Sequence, residues 1–481
     1  MLVGTASACT DDDRLGVEFV EEAPATQVLP GGDPARTALT LSALLVESAD
    51  GVVIATEDSL EALAAVSASS RLPLLLGTDQ AVAEEIDRLG ARTLVTAEGT
   101  DVSDLGDGLD LIEIDPADAD AADSIPDVSV DQQPAAVSVF LDPAEEGPAS
   151  VVARTLVEAA GGAVSQMPGA DPRATGESVA AAKEVVGQDP SAGVIAIGEG
   201  FGGLEQFTQN LQTAVTVPEL PGGGQVAFSH RRMVAAYGSP GIPSLGVLGE
   251  QELEASIERV QELAAQYEDY AEVPVDPAFE IITTVASDAA GADGNHSTEL
   301  GVETIREWVE AAGEAGVYVV LDLQPGTTDF LTQAQLYEEL LLQPHVGLAL
   351  DAEWRLAAGQ RHLEQIGSVS GAEVNETAQW LADLTAEHEL PQKVFILHQF
   401  SLAMISDRQD IDASRPELAM VLHADGHGTR EDKLSTWNTL QQGLPEGIGM
   451  AWKNFYDEDT PTFTPEETYD LEPRPWFVSY Q

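Results

Sequence analysis

VYVVLDLQ (residues 317–324) and VGLALDAE (346–353) are the stretches on which the fold of this chain turns. Each is a strand-like apolar run that ends in polar side chains, and residues 331–342 between them carry the spacing of an amphipathic helix. Working outward, six more runs of the same kind occur: 232–238 (RMVAAYG), 279–286 (FEIITTVA), 394–400 (VFILHQF), 418–425 (LAMVLHAD), 447–455 (GIGMAWKNF) and 475–480 (PWFVSY). Amphipathic stretches at 250–270, 298–315, 373–388 and 431–442 lie between most of them. Eight strands within residues 221–481 match the size of a (β/α)8 barrel with some short or irregular connections.

A barrel of this kind gathers its chemistry where the strands end. Asp322 and Gln324 close the third run, Asp351 and Glu353 the fourth, and His398 and Gln399 the fifth. His423 and Asp425 close the sixth with His427 just beyond, and Trp452 and Lys453 close the seventh with Tyr456 just beyond. Strand side chains alternate faces, so Asp322 with Gln324, Asp351 with Glu353, and His423 with Asp425 each share a side. A barrel interior favours Val, Ile and Leu, so polar groups there require solvent, partners or a ligand.

Carboxylates on neighbouring strand ends suit glycoside hydrolysis, in which one acid protonates the leaving oxygen and another carboxylate attacks or activates water. Glu353 is the candidate proton donor, and Asp322, Asp351 and Asp425 are candidates for nucleophile or base. Trp354, Trp452 and Tyr456 are candidate sugar platforms, and Gln324, His398, Gln399, His423 and Lys453 are candidate substrate contacts. The alternatives are a polar rim closed by structural hydrogen bonds and a non-catalytic polysaccharide-binding protein using the same mouth. HADGHG (423–428), with His398 nearby, offers ligands for a divalent metal, but hydrogen-bonded histidines are the favoured reading, so neither metal nor cofactor is expected. His296 is expected in a loop near the mouth, and His345, His362 and His388 at the surface or at helix ends. No Gly-x-Ser-x-Gly elbow occurs.

The first half differs in character: residues 1–220 hold only Phe19, Phe140, Phe201 and Phe207 as aromatics, and every Trp, Tyr and His follows. The break PELPGGG (218–224) separates an amino-terminal domain, 35–220, from the barrel domain, 221–481. Strand candidates at 51–55, 74–76, 92–95, 109–114, 135–141 and 192–197 alternate with helical stretches at 58–70, 79–90, 147–160 and 173–186, which predicts a parallel-sheet α/β domain. IGEGFGG (197–203) reads as a plain strand-to-helix turn.

Within that domain, Glu61-Ala62-Leu63-Ala64-Ala65, then Pro73-Leu74-Leu75-Leu76-Gly77, then Thr93-Leu94-Val95-Thr96-Ala97-Glu98-Gly99 follow one another after the strand at 51–55. In that order the segment resembles the cell wall-binding repeat 2 family, with the clearest likeness over about 36–100 and Glu61 where the family usually has Asp. The resemblance implies a parallel α/β unit that holds a surface protein non-covalently on anionic wall polymers.

Lys and Arg number 21 against 83 Asp and Glu, a formal net charge of −62, while hydrophobic content is an ordinary 43%. Such a chain repels phosphate backbones, so no nucleic-acid partner is expected. Acidity spread along the whole length points to a carboxylate surface of the kind found in high salt. No run of about 18 apolar residues spans a bilayer. Cys9, the single cysteine, follows the small apolar stretch MLVGTASA and precedes TDDD, an order that resembles the end of a bacterial lipoprotein signal peptide. A lipid anchor at Cys9, a flexible tether over 1–34, and a place on the outer face of the membrane or in the wall are expected. The chain thus reads as an envelope lipoprotein with a wall-binding-like α/β domain and a (β/α)8-barrel-like domain acting on, or binding, envelope polysaccharide.

Overall fold

A computed structural model describes residues 14–118, 121–130, 137–188 and 193–481. Cys9 lies outside the described residues. The chain divides into two compact units, the first running to Val215 and the second from Thr216 to Gln481 together with Ala174–Gly176.

The first unit is α/β. Leu74–Leu76, Gly51–Ala55, Thr93–Ala97 and Asp110–Ile114 lie side by side in that order, all parallel. Helices Leu60–Ser70 and Gln80–Leu89 make the crossovers. The second of these starts where the Asp79 carboxylate accepts the backbone N–H groups of Ala81 and Val82, and it stops at Gly90, whose φ of 75° a side chain would disfavour. Ala163–Gln166, Val137–Leu141, Gly193–Ile197 and Gln27–Leu29 form a second parallel sheet.

One expectation changes here. From residue 15 onward the segment assigned to a tether is built into the fold, because Leu15–Phe19 pairs with Val46–Ala49 and Val128–Val130 and buries Val17 and Phe19. Gln27–Leu29 joins the second sheet, and a helix begins at Pro34. Proline and acidic residues obscured two short strands whose partners lie far along the chain.

The second unit is the expected barrel. Its strands are β1 (Arg232–Gly238), β2 (Val275–Ala286), β3 (Tyr318–Leu323), β4 (Val346–Asp351), β5 (Lys393–Gln399), β6 (Leu418–Ala424), β7 (Gly449–Asn454) and β8 (Phe477–Tyr480). Each pairs in parallel with the next, and β8 returns to β1 through Met233 opposite Phe477, so the eight strands close on themselves, with the short strand Ser297–Glu299 added antiparallel to the end of β2. Helices Leu253–Ala265, Val302–Glu314, Gly371–Glu387 and Arg430–Leu440 cover the outside. β5 and β6 are joined only by short turns and a two-residue strand. Among the described residues no helix is long and apolar enough to cross a membrane.

The interior is stratified along the barrel axis. Met233, Ala235, Ala278, Tyr318, Val320, Ala349, Val394, Ile396, Val421 and Ala451 fill the end where the strands begin. One pleat further along the same faces, Tyr237, Glu280, Asp322, Asp351, His398, His423 and Lys453 replace them, all buried. The period of two that makes the core apolar below thus delivers ionisable groups above.

Candidate active site

Every barrel strand contributes one side chain to this polar layer. The Tyr237 hydroxyl donates to Asp322 Oδ2 at 2.9 Å, joining β1 to β3 past the intervening β2. His398 on β5 lies between two carboxylates, with Nδ1 2.9 Å from Asp425 Oδ2 and Nε2 2.7 Å from Glu280 Oε1. Lys453 Nζ is 3.3 Å from Asp425 Oδ1 and 3.5 Å from the centre of the Tyr237 ring. On β8, Ser479 Oγ lies 3.1 Å from His423 Nε2, and the two histidine rings are 4.7 Å apart.

Burial and charge push these groups in opposite directions. Burial alone would drive His398 towards neutrality, but Glu280, Asp322 and the bond to Asp425 outweigh it, so the ring is held as an imidazolium well above its ordinary value. His423 has weaker compensation, and burial takes it down to about 3, a neutral ring. Burial also opposes ionisation of Asp425, yet Lys453 and His398 hold its carboxylate far below the usual range. Asp351 has no such cation and is pushed well up, first by burial, partly offset by His398, and then by Asp322 and Asp425. Glu353 is raised from 4.5 to about 7, by burial first and by the charge of Asp425 second.

Above the layer opens a cavity of about 400 Å³, within the range of small-molecule sites. Asp351, Asp425, Lys453 and Tyr237 form part of its floor, and Glu353, Gln324, Trp354, Phe400, His427 and Phe455 are among its walls. Asp351 Oδ1 accepts the Glu353 backbone N–H at 3.1 Å, which fixes the turn that aims Glu353 and Trp354 at the opening. Gln324 is tied down as well, its Oε1 accepting the N–H of Ala286.

Six of the sequence-derived candidates therefore meet at the cavity: Glu353, Asp351, Asp425, Gln324, Trp354 and Lys453. Asp322, His398 and His423 lie fully buried in the same layer, away from the cavity lining. Gln399 and Trp452 do not belong to the site. Each neighbours an inward-facing residue and so points outward, Gln399 bonding to Ser401 and Arg408, and Trp452 packing on Trp437 and Phe463. Tyr456 stands off the cavity, its ring between Tyr480 and the Arg259 guanidinium.

His345 and His362, expected at the surface or at helix ends, are buried with their Nε2–H groups donating to the carbonyls of Val309 and His296. Neither His296 nor His388 lines the cavity. Three members of the layer escaped sequence reading, Tyr237, Glu280 and Ser479. For Glu280 the signal was a lone carboxylate inside FEIITTVA, on the same alternation as Ala278.

No protein-family model and no curated protein matches the chain. Among solved structures it is similar to CcCel6C, a glycoside hydrolase family 6 enzyme from Coprinopsis cinerea, at 14% identity and a TM-score of 0.21. That match covers 46% of this chain and 60% of the other, and so slight a likeness bears on neither fold nor function. What fold and cavity define together is a (β/α)8-barrel protein with an ionisable mouth.

Proposed function

We propose that the barrel is a glycoside hydrolase acting on envelope polysaccharide, with Glu353 as proton donor. The observation that carries this reading is the pairing, in one cavity, of a carboxyl group that keeps its proton to about 7 with a carboxylate, Asp425, held between Lys453 and His398. Environments that push two carboxyls apart in this way are how acid and base roles are divided at neutral pH. Glu353 gives its proton to the glycosidic oxygen as the C–O bond breaks. Asp425 stabilises the positive charge that develops on the sugar, and water then adds at that carbon as its proton passes to the Glu353 carboxylate, which restores the acid. Trp354 supports the sugar ring from the wall, while Asp351 acts as a positioning group through its bond to the Glu353 backbone.

The remainder of the proposal places the protein on the outer face of the envelope, anchored by lipid at Cys9, with the first unit on wall polymer. A second reading, glycan binding without cleavage, is favoured by one observation: Asp322 and Asp425 are already engaged by Tyr237, His398 and Lys453.

The full chain incubated with isolated wall glycans, in low and high salt, separates the two. Release of reducing ends by the wild type, reduced about 10²–10⁴-fold in Glu353→Gln, is the expected result. Binding without release in either variant establishes the second reading. Neither binding nor release removes the envelope assignment.

A further inference from the structure

We infer that the layer beneath the cavity is a binding site for one first-row divalent cation of the zinc, cobalt or iron type, with Glu280, His398 and His423 as protein ligands. A carboxylate oxygen of Glu280 and a ring nitrogen of each histidine converge within 4.8 Å of one another, from β2, β5 and β6. Two imidazoles and a carboxylate are the donor set such ions prefer, and a set that magnesium and calcium do not.

Independent observations at the same place point to a ligand. Glu280 Oε2 and His423 Nδ1 have no hydrogen-bond partner among the described residues, although both residues are 0% exposed. Orphaned polar atoms at that depth are costly unless something satisfies them. Asp322 Oδ1, also unpartnered, lies 3.9 Å from His398 Nε2 and stands ready as a fourth ligand.

Each histidine is also set for coordination by the group behind it. Asp425 holds His398 at Nδ1 and Ser479 holds His423 at Nε2, which leaves the two remaining ring nitrogens directed at Glu280. A carboxylate or hydroxyl behind a ligating imidazole is the outer shell that fixes ring and tautomer in metal sites. Formal charge agrees: Glu280, Asp322, Asp351 and Asp425 face the Lys453 ammonium and the His398 imidazolium, and a divalent ion that takes the place of the His398 proton adds one further positive charge. When the ion binds, the proton between His398 Nε2 and Glu280 Oε1 leaves to solvent. The site does not involve His427, which packs on Phe455 in the cavity wall. It also does not depend on the hydrolase reading.

The test uses the full chain, stripped with chelator and then held in molar potassium chloride to suppress loose binding by the acidic surface. Cobalt(II) is titrated in and its visible absorption recorded, and zinc(II) is then counted per chain after gel filtration. The expected result is one equivalent of either ion, with the intense cobalt bands of a four-coordinate, nitrogen-containing site that zinc abolishes. His423→Asn and Glu280→Gln should each weaken binding about 10–100-fold or more, and His427→Ala should leave it unchanged. Absence of cobalt bands in the wild type, or only the weak bands and many-site uptake of surface carboxylates, overturns the assignment. So does loss of the site in His427→Ala. The wild-type spectrum decides the matter even where a ligand variant fails to fold.

Discussion

Glu353 holds its proton because its carboxyl is withdrawn from water beside the Asp425 charge, and two measurable consequences follow. The proposed proton donor is competent below about 7, so kcat/KM for glycan cleavage should fall as pH rises through that value. A rate that keeps rising above it would remove Glu353 from the role of acid. For stability the sign is set by a folded-state pKa that lies above the ordinary 4.5. The folded chain binds this proton more tightly, so the contribution is fully present below about 4.5 and lost as pH rises through about 7. Glu353→Gln should flatten that part of the stability curve in urea titrations made across the same window. Lys453 is the complementary case, the ammonium that faces the carboxylates of the layer and caps the Tyr237 ring. Lys453→Met should lower unfolding free energy by about 3–5 kcal/mol, because it leaves buried carboxylates without their cation. An unchanged urea midpoint would show that the layer compensates by taking up protons.

At the scale of elements, the ends of β6 and β7 are clamped from outside the barrel. Lys433, on the helix between them, donates from Nζ to the carbonyls of Gly426 and Lys453 and pairs with Asp459 at 2.7 Å. Asp459 in turn accepts the N–H groups of Phe455 and Gly428. The pair therefore satisfies the backbone that follows Asp425 and Lys453. Asp459→Asn should cost about 3–5 kcal/mol, read from the shift in urea midpoint. Gly326, just after β3, has φ of 60° and would place a Cβ against the Asn295 carbonyl, so Gly326→Ala should destabilise by more than about 1 kcal/mol. The same scale explains what sequence reading caught and missed. All eight barrel strands were legible because each is a local apolar run. Gln399 and Trp452 were misplaced because nearness to a strand end was weighed without carrying the alternation from His398 and Lys453 to their neighbours. Glu280 was missed because it lies in the middle of its strand, ahead of the end at which polar groups were sought, and Tyr237 because no carboxylate or histidine accompanies it on β1.

For the whole molecule the controlling quantity is the formal charge of −62. Self-repulsion on that scale opposes the compact state and is screened within about 10 Å at 0.1 M salt and about 3 Å at 1 M. The thermal midpoint should therefore rise between 0.1 M and 2 M potassium chloride, and a flat or falling midpoint would sever the acidity from salt adaptation. By itself the amino-acid sequence determined the α/β class, the barrel with its eight strands, the polar carboxyl-terminal mouth and the acidic surface. These are set by local periodicity and by composition, which need no partner to be read. Tertiary structure alone decided that Leu15–Phe19 and Gln27–Leu29 are strands, that Asp322, His398 and His423 sit in a closed layer while Glu353 and Asp425 reach the cavity, and that Glu280 joins the histidines. The reason is that depth in a closed barrel follows from the register of every strand against its neighbours, a relation between residues as far apart in the chain as Met233 and Phe477 that no stretch of chain contains on its own.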